Sequence, residues 1–368
     1  MNKPFKIIIA GGKTGGHLFP GIAVAQALER LHDNVDVLFV GTNAPFEVQT
    51  LEKYGYAHKS IISKPIKGSS IFRKAFSIGI LLVSLIQAMM IMKRIKPDFV
   101  LGVGGFSSFA VVLAAWCMGI PTAIQEQNAI PGLTNRLLSR FAKTIFTSFK
   151  ETKGLVGNKK VKYVGNPVRQ TDSVESATSL TSNNFNPDKI TLLVTGGSQG
   201  AASINKAFMD ALAMMKNTDR FNIIHQTGIN DESAIQQQYD DLNIKATVKA
   251  FFHNMPQLLK MADLAITRAG AGTVFELCIM GLPAILVPFP HAADDHQTFN
   301  AMALENHDAA VMIKDNELTG QTLEKTIQGL VGDKSRLERM AKMLKRIAIA
   351  NADENIASCI LKTKEIKV

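Results

Sequence analysis

Ile7-Ile8-Ile9-Ala10-Gly11-Gly12-Lys13-Thr14-Gly15-Gly16-His17 decides how this chain folds. The β-branched run reads as a buried strand that enters a glycine-rich loop, with an apolar helix predicted over Phe19–Leu31. Strand, glycine loop and helix in that order open a βαβ unit on a parallel sheet. Four glycines let the main chain approach a ligand, and the helix offers unpaired N–H groups and a positive dipole end to an anion. His17 adds a side chain that moves protons near neutral pH. The turn therefore joins a phosphate or diphosphate cradle to a candidate acid or base. It is not a P-loop, because no Gly-Lys-Ser/Thr closes it. Nor is it a dinucleotide fingerprint, because the second strand ends Phe39-Val40-Gly41 without an acid. The competing reading is that the glycines serve only tight strand-to-helix packing.

The same alternation continues along the chain. Strands are predicted at Phe5–Ala10, Asp36–Gly41, Phe99–Gly104, Pro121–Gln125 and Thr144–Thr147, with helices near Phe46–Lys53, Ile71–Arg94, Ser107–Cys117 and Leu133–Phe141. Thr171–Asp188, rich in Ser, Thr, Asn and Asp, reads as a linker. The pattern then restarts. Ile190–Val194 is a strand, and Gly196-Gly197-Ser198-Gln199-Gly200-Ala201 opens a second helix. Further strands are expected at Asn222–Gln226, Ala246–Phe251, Leu264–Thr267, Ala284–Pro288 and Ala310–Ile313, with helical sequence from Leu318 onward. The fold class is α/β, with two doubly wound domains and a ligand expected in a cleft between the carboxyl ends of their sheets. A chain of 368 residues fits two such domains.

A net charge of +10 points to an anionic partner. Few aromatics and no Arg-rich tract argue against nucleic acid. Cys117, Cys278 and Cys359 lie far apart and read as reduced thiols of a cytosolic protein without a signal peptide. Ala75–Met92 is nearly all apolar between basic ends. Its Ser and Gln residues and its place ahead of a strand favour a crossover helix over a membrane span. It is either a helix that also shows an apolar, Lys/Arg-rimmed patch to an anionic membrane surface, or an entirely buried crossover helix with solvated basic ends.

Several further segments carry chemistry. Gly102-Val103-Gly104-Gly105-Phe106-Ser107-Ser108 is a second glycine loop in the first half, a tight turn or a second wall of a diphosphate pocket. Gln125-Glu126-Gln127-Asn128 places polar groups at a strand's carboxyl end, where side chains face ligands or partner loops. Arg268-Ala269-Gly270-Ala271-Gly272-Thr273-Val274-Phe275-Glu276 places a helix N-terminus after a strand, fit for a phosphate, with Glu276 able to accept ribose hydroxyls. His291, Asp294, Asp295 and His296 are not spaced as metal ligands, and no Asp-x-Asp occurs. No metal and no cofactor is expected.

Together these segments carry a resemblance. Thr14-Gly15-Gly16-His17 with Pro20, Gly104-Gly105-Phe106, Glu126-Gln127-Asn128, Gly165-Asn166-Pro167-Val168-Arg169, Gly196–Ala201 and Gly270-Ala271-Gly272-Thr273 with Glu276 stand in the order and spacing of one family. Over essentially its whole length the chain resembles the MurG family of UDP-N-acetylglucosamine–N-acetylmuramyl-(pentapeptide) pyrophosphoryl-undecaprenol N-acetylglucosaminyltransferases. The resemblance implies the GT-B fold, with two Rossmann-like domains. Residues 1–168 would face acceptor and membrane, residues 169–349 would bind the donor, and a last helix, about 350–368, would return to the first domain. It implies UDP-GlcNAc as donor, lipid I as acceptor, lipid II for peptidoglycan as product, and a peripheral place on the cytoplasmic face of the plasma membrane. Ser198 and Thr273 fall at phosphate positions, Glu276 at the ribose, Phe252 beside the uracil, Arg169 at the nucleotide and Gln297 at the sugar. Ala271, Gly272, Val274 and Phe275 belong to the same donor segment, and Thr14, Gly15, Gly16 and Asn128 would reach the donor from the first domain. Gly12, Gly104 and Gly105 would hold the acceptor diphosphate, and His17 is the candidate base. Lys13, Gln125, Ala269, Phe275 and His296 depart from the family's usual residues. A GT-B transferase with another lipid acceptor, a UDP-GlcNAc epimerase and a non-catalytic scaffold remain alternatives.

Overall fold

The computed structural model describes residues 3–12, 14–63, 71–168, 185–197 and 199–365, with side chains from residue 79 onward in the helix that starts at Ile71. Lys13, Ser198, Arg169 and the linker residues 171–184 lie outside the described residues. The chain divides into two units, Met1–Gln170 with Ile349–Val368, and Thr171–Ala348.

In unit 1 the strands are β1 (Phe5–Ala10), β2 (Val35–Gly41), β3 (Ala57–Ser60), β4 (Phe99–Gly102), β5 (Thr122–Glu126), β6 (Thr144–Thr147) and β7 (Val161–Tyr163). They form one parallel sheet in the order β3-β2-β1-β4-β5-β6-β7. The central strands are near-continuous Val, Ile, Leu and Phe because helices cover both faces. Those helices are α1 (Gly15–Leu31), α2 (Pro45–Lys53), α3 (Ile71–Ile95), α4 (Phe106–Cys117), α5 (Leu133–Leu138) and, from the far end of the chain, α13 (Ala352–Glu365). Helix α13 packs along α1 and places Ile356, Ala357 and Ile360 in the same core as Ile7, Ile9 and Phe39. Arg30 of α1 pairs with Asp353 at 2.8 Å.

Unit 2 repeats the plan with β8 (Ile190–Thr195), β9 (Phe221–Gln226), β10 (Thr247–Lys249), β11 (Leu264–Thr267), β12 (Ala284–Leu286) and β13 (Val311–Met312), in the parallel order β10-β9-β8-β11-β12-β13. Its helices are α6 (Ala202–Met214), α7 (Glu232–Asp241), α8 (Met255–Met261), α9 (Ala271–Met280), α10 (His296–Glu305), α11 (Gly320–Val331) and α12 (Lys334–Ile347).

In both sheets the strand order reverses beside the first strand, between β1 and β4 and between β8 and β11. Loops after these strands flank the crevice where open α/β sheets bind ligands. Some expectations change: β10 spans only Thr247–Lys249 of the expected Ala246–Phe251, and β12 ends at Leu286 rather than Pro288. β4 ends at Gly102, so Val103 and Gly104 belong to the loop, and α5 ends at Leu138 rather than Phe141. The described end of the expected linker is fixed, because Asn186 N–H donates to Asn222 Oδ1 at 3.1 Å. Among the described residues no helix is long and apolar enough to cross a membrane.

Candidate active site

In unit 1 the helix starts earlier than its apolar spacing suggests. Gly15, Gly16 and His17 form the first turn of α1, after Thr14 at the N-cap. His17 N–H bonds back to the Thr14 carbonyl at 3.1 Å, whereas among the described residues the amides of Gly15 and Gly16 have no main-chain acceptor. The loop after β4 holds this turn from the side. A Cβ on Gly11, where φ is +118°, would lie 2.1 Å from the Gly104 carbonyl oxygen, so only glycine permits the approach. Gly16 differs: a Cβ there would meet nothing within 4 Å. Packing does not require glycine at Gly16.

His17 is oriented by a buried polar chain. Its Nδ1 lies 3.2 Å from Gln127 Oε1. Gln127 Nε2 donates to the Val103 carbonyl at 2.8 Å and to Gln125 Oε1 at 2.6 Å, so its oxygen is the end that meets the histidine. That arrangement puts a proton on His17 Nδ1, so that Nε2 is the nitrogen able to take up a proton when the ring is neutral. Gln125 Nε2 continues the chain to Asn166 Oδ1 at 3.1 Å.

The Gln125–Asn128 segment needs a correction. Gln125, Glu126 and Gln127 are buried and turn inward rather than toward a ligand. Glu126 accepts from Asn128 N–H, Gly132 N–H and Asn135 Nδ2 at 2.9, 3.2 and 2.8 Å, which shapes the loop that carries Asn128. Burial pushes the Glu126 carboxyl above its usual range, and these hydrogen bonds oppose the shift. Asn128 stays partly exposed at the sheet edge. Of the glycines assigned to an acceptor diphosphate, Gly12 and Gly104 are buried, while Gly105, the N-cap of α4, has open space at its Cβ position.

In unit 2 the second glycine loop is pinned from the β9 side. A Cβ on Gly200, where φ is +76°, would lie 2.0 Å from the Thr227 carbonyl oxygen. Gln226 Nε2 donates to Thr195 Oγ1 at 3.2 Å and to the Gly197 carbonyl at 2.9 Å, while its Oε1 accepts Phe252 N–H at 2.9 Å. Phe252 itself is buried, so a ligand beside it would meet its main chain.

After β11, α9 begins at Gly270 with no side-chain cap. Val274 N–H is taken by the Gly270 carbonyl, and the side chains of Val274 and Phe275 are in the core. Ala271, Gly272 and Thr273 thus offer the unpaired amides of the helix N-terminus, with Thr273 and Glu276 partly exposed. A Cβ on Gly272 would also meet nothing within 4 Å. Gln297, in the first turn of α10, accepts Phe289 N–H through Oε1 at 2.9 Å, which leaves its amide nitrogen as the donor end.

Arg268 had no role in the sequence reading. Its guanidinium donates to Asp315 Oδ1 at 2.6 Å, to Ser203 Oγ at 2.9 Å and to the Pro288 carbonyl at 3.1 Å, and it lies over the Phe289 ring. It ties α6, the loop after β12 and the segment after β13 into one rim. Its position immediately after a parallel strand was the only sequence signal. Behind this rim His225 is buried. Its Nε2–H donates to Asn205 Oδ1 at 3.1 Å and its Nδ1 accepts the Tyr239 hydroxyl at 3.0 Å. Burial pushes its pKa down to about 3, so the ring is neutral.

The comparisons agree with this architecture. Residues 7–147 match the glycosyltransferase family 28 N-terminal domain, and residues 191–356 match the glycosyltransferase family 28 C-terminal domain. A UDP-N-acetylglucosamine--N-acetylmuramyl-(pentapeptide) pyrophosphoryl-undecaprenol N-acetylglucosamine transferase of Syntrophus aciditrophicus is 42% identical over 361 residues, covering 96% of this chain and 98% of that one. The transferase of the same name from Myxococcus xanthus is 40% identical, covering 92% of this chain and 87% of that one. The crystal structure of Acinetobacter baumannii MurG superposes with a TM-score of 0.80 at 31% identity, covering 98% of this chain and all of that one. Two parallel α/β units with these neighbours are the GT-B fold. The chain belongs to the MurG family of glycosyltransferase family 28.

Proposed function

We propose that this protein transfers N-acetylglucosamine from UDP-GlcNAc to the 4-hydroxyl of the muramyl sugar of lipid I, giving lipid II for peptidoglycan synthesis. Whole-length identity to transferases of that name supports the substrate pair. The observation in the fold that carries the reading is the pair of helix N-termini, at Gly16 and Gly272, whose glycines no internal contact requires. The terminus at Gly272 presents its amides to the donor diphosphate, and the one at Gly16 presents them to polar groups of the donor sugar.

In this reading unit 2 holds the donor. The amides of Ala271–Thr273 and the Thr273 hydroxyl receive the diphosphate, Glu276 takes the ribose hydroxyls, the Phe252 main chain flanks the uracil, and Gln297 donates to the sugar. Ser198 and Arg169 are assigned there by family resemblance. Unit 1 serves the acceptor. Gly105 and the start of α4 meet its diphosphate with Gly12 and Gly104 behind them, and Thr14, Gly15, Gly16 and Asn128 contact the donor sugar.

Transfer is a single displacement that inverts the anomeric carbon. The acceptor oxygen forms the new bond as the bond to UDP breaks, and its proton passes to His17 Nε2. Developing charge on UDP is stabilised by fixed N–H dipoles, which need no reorganisation as the bond breaks. Alignment and a positioned base supply the rest.

The lipid acceptor calls for a membrane surface. Leu82, Val83, Ile86 and Met90 lie exposed on α3, which ends in Lys93 and Arg94. This apolar face with a basic end suits peripheral attachment to the anionic cytoplasmic leaflet. The test is purified protein with UDP-GlcNAc and a short-chain lipid I analogue. A disaccharide product is expected. Normal UDP-GlcNAc binding with no product, or an isomer formed without acceptor, would sink the reading.

A further inference from the structure

Helix α12 carries a set of cations that glycosyl transfer does not use. Asp333 starts it, accepting Arg336 N–H at 2.9 Å and the Ser335 hydroxyl at 2.7 Å. Met340 and Leu344 enter the core, and the Lys345 stem lies against Gly281 at the end of α9. The remaining face, together with the turn that leaves α10, encloses a cavity of about 630 Å³. Arg336, Arg339, Lys342 and Arg346 line it around Met343, and Asp308 is the one carboxylate among the lining residues.

These charges are poorly compensated. Among the described residues the side chains of Arg336, Lys342 and Arg346 form no ion pair. Among the described residues Arg346 reaches Met343 Sδ at 3.7 Å, while Arg339 reaches Ser335 Oγ at 2.9 Å and pairs with Asp333 Oδ2 at 3.9 Å. Arg339, Lys342 and Arg346 follow one another at spacings of three and four residues, where like charges on a helix face repel. A bound oligoanion would relieve that repulsion. Guanidinium forks match phosphoryl oxygens in shape as well as charge. The volume falls in the range of small-molecule sites, about 300–1,000 Å³.

We propose that this cavity binds a phosphoryl group bearing at least two negative charges or a phosphate with neighbouring anions, supplied free in solution or as a phospholipid headgroup. The site lies wholly in unit 2, apart from the helix N-terminus assigned to the donor.

Hydrogen exchange across residues 334–347 tests it, because that readout is local to the helix. The probes are inorganic diphosphate, and vesicles of phosphatidylcholine with or without phosphatidylglycerol. The wild type is expected to exchange more slowly with at least one probe. Arg336→Gln with Arg346→Gln should weaken the response by ~10-fold or more, since hydrogen bonds to charged groups contribute about 1.5–3 kcal/mol each. Lys342→Glu, at a single exposed side chain, should do the same. Lys325→Gln with Lys334→Gln removes equal charge outside the cavity and should leave the response intact. Slowing by diphosphate assigns a soluble ligand, and slowing by phosphatidylglycerol vesicles alone assigns the headgroup. Unchanged exchange with both probes, equal responses in the cavity variants, or slowing only by an oligoglutamate peptide would overturn the proposal.

Discussion

The glycine loop after β1 is held by the loop after β4, across the reversal of strand order, whereas the glycine loop after β8 is held by the loop after β9, on the other side of its strand. The first arrangement sets His17 against Gly104 and Gln127 in unit 1. The second leaves the β8–β11 crevice of unit 2 lined by amides, Thr273 and Glu276, with Arg268 bracing its rim and His225 buried as a neutral strut. One architecture thus carries two chemistries. Unit 1 presents a group that can move a proton, and unit 2 presents fixed dipoles that can receive charge.

The sharpest way to break this contrast is His17→Ala. Loss of a positioned base should lower kcat by roughly 10²–10⁴-fold while the UDP-GlcNAc Kd stays within a few-fold. Turnover close to wild type would remove the catalytic half of the comparison.

Arg268→Lys comes next. It keeps the charge and discards the fork that reaches Asp315, Ser203 and Pro288, so unit 2 should lose about 2–3 kcal/mol in chemical denaturation and bind UDP more weakly. Unchanged stability would show that the rim is held by other contacts.

Gly16→Ala and Gly272→Ala sharpen the parallel between the units. Each has room for a methyl group within the protein, and alanine raises helix propensity by about 0.5–1 kcal/mol, so melting temperatures should hold or rise. Activity should nevertheless fall ~10-fold or more for each, because the methyl group stands where a ligand approaches. Full activity in either variant would mean that its glycine faces no substrate.

The pH response of unit 2 tests its buried half of the comparison. His225 binds a proton in the unfolded chain near pH 6.5, yet its folded pKa is about 3. A depressed folded pKa contributes stability above the unfolded value that is lost as pH falls toward the folded one. Stability should therefore drop by about 1.4 kcal/mol per pH unit between about 6 and 4 from this residue. His225→Gln should be less stable at pH 7 and show a shallower acid slope. An identical slope would place the acid sensitivity elsewhere.

The sheet cores were legible because buried parallel strands are unbroken apolar runs, as at Ile7–Ala10 and Leu192–Val194. Edge strand β3, Ala57-His58-Lys59-Ser60, escaped because it is half-exposed and polar. Helix α7, Glu232–Asp241, escaped because only Ile235 and Tyr239 are buried. In the candidate site the glycine loops announced themselves through composition. The groups that aim them did not. Gln127 meets His17 across 110 residues, and Arg268 meets Asp315 across 47. No local pattern encodes such pairs, since they exist only once the strands are in register.

Helix α13 bears on how the protein is made. Unit 1 contributes the first seven strands, yet its core includes Ile356, Ala357 and Ile360. On the ribosome the first unit to emerge is the last whose core is completed, while every strand of unit 2 is translated before the missing helix arrives. Until then the apolar flank of α1 that α13 covers stays open to solvent. The newborn chain is expected to rely on chaperone shelter, or on rapid completion of translation, most strongly in its oldest half.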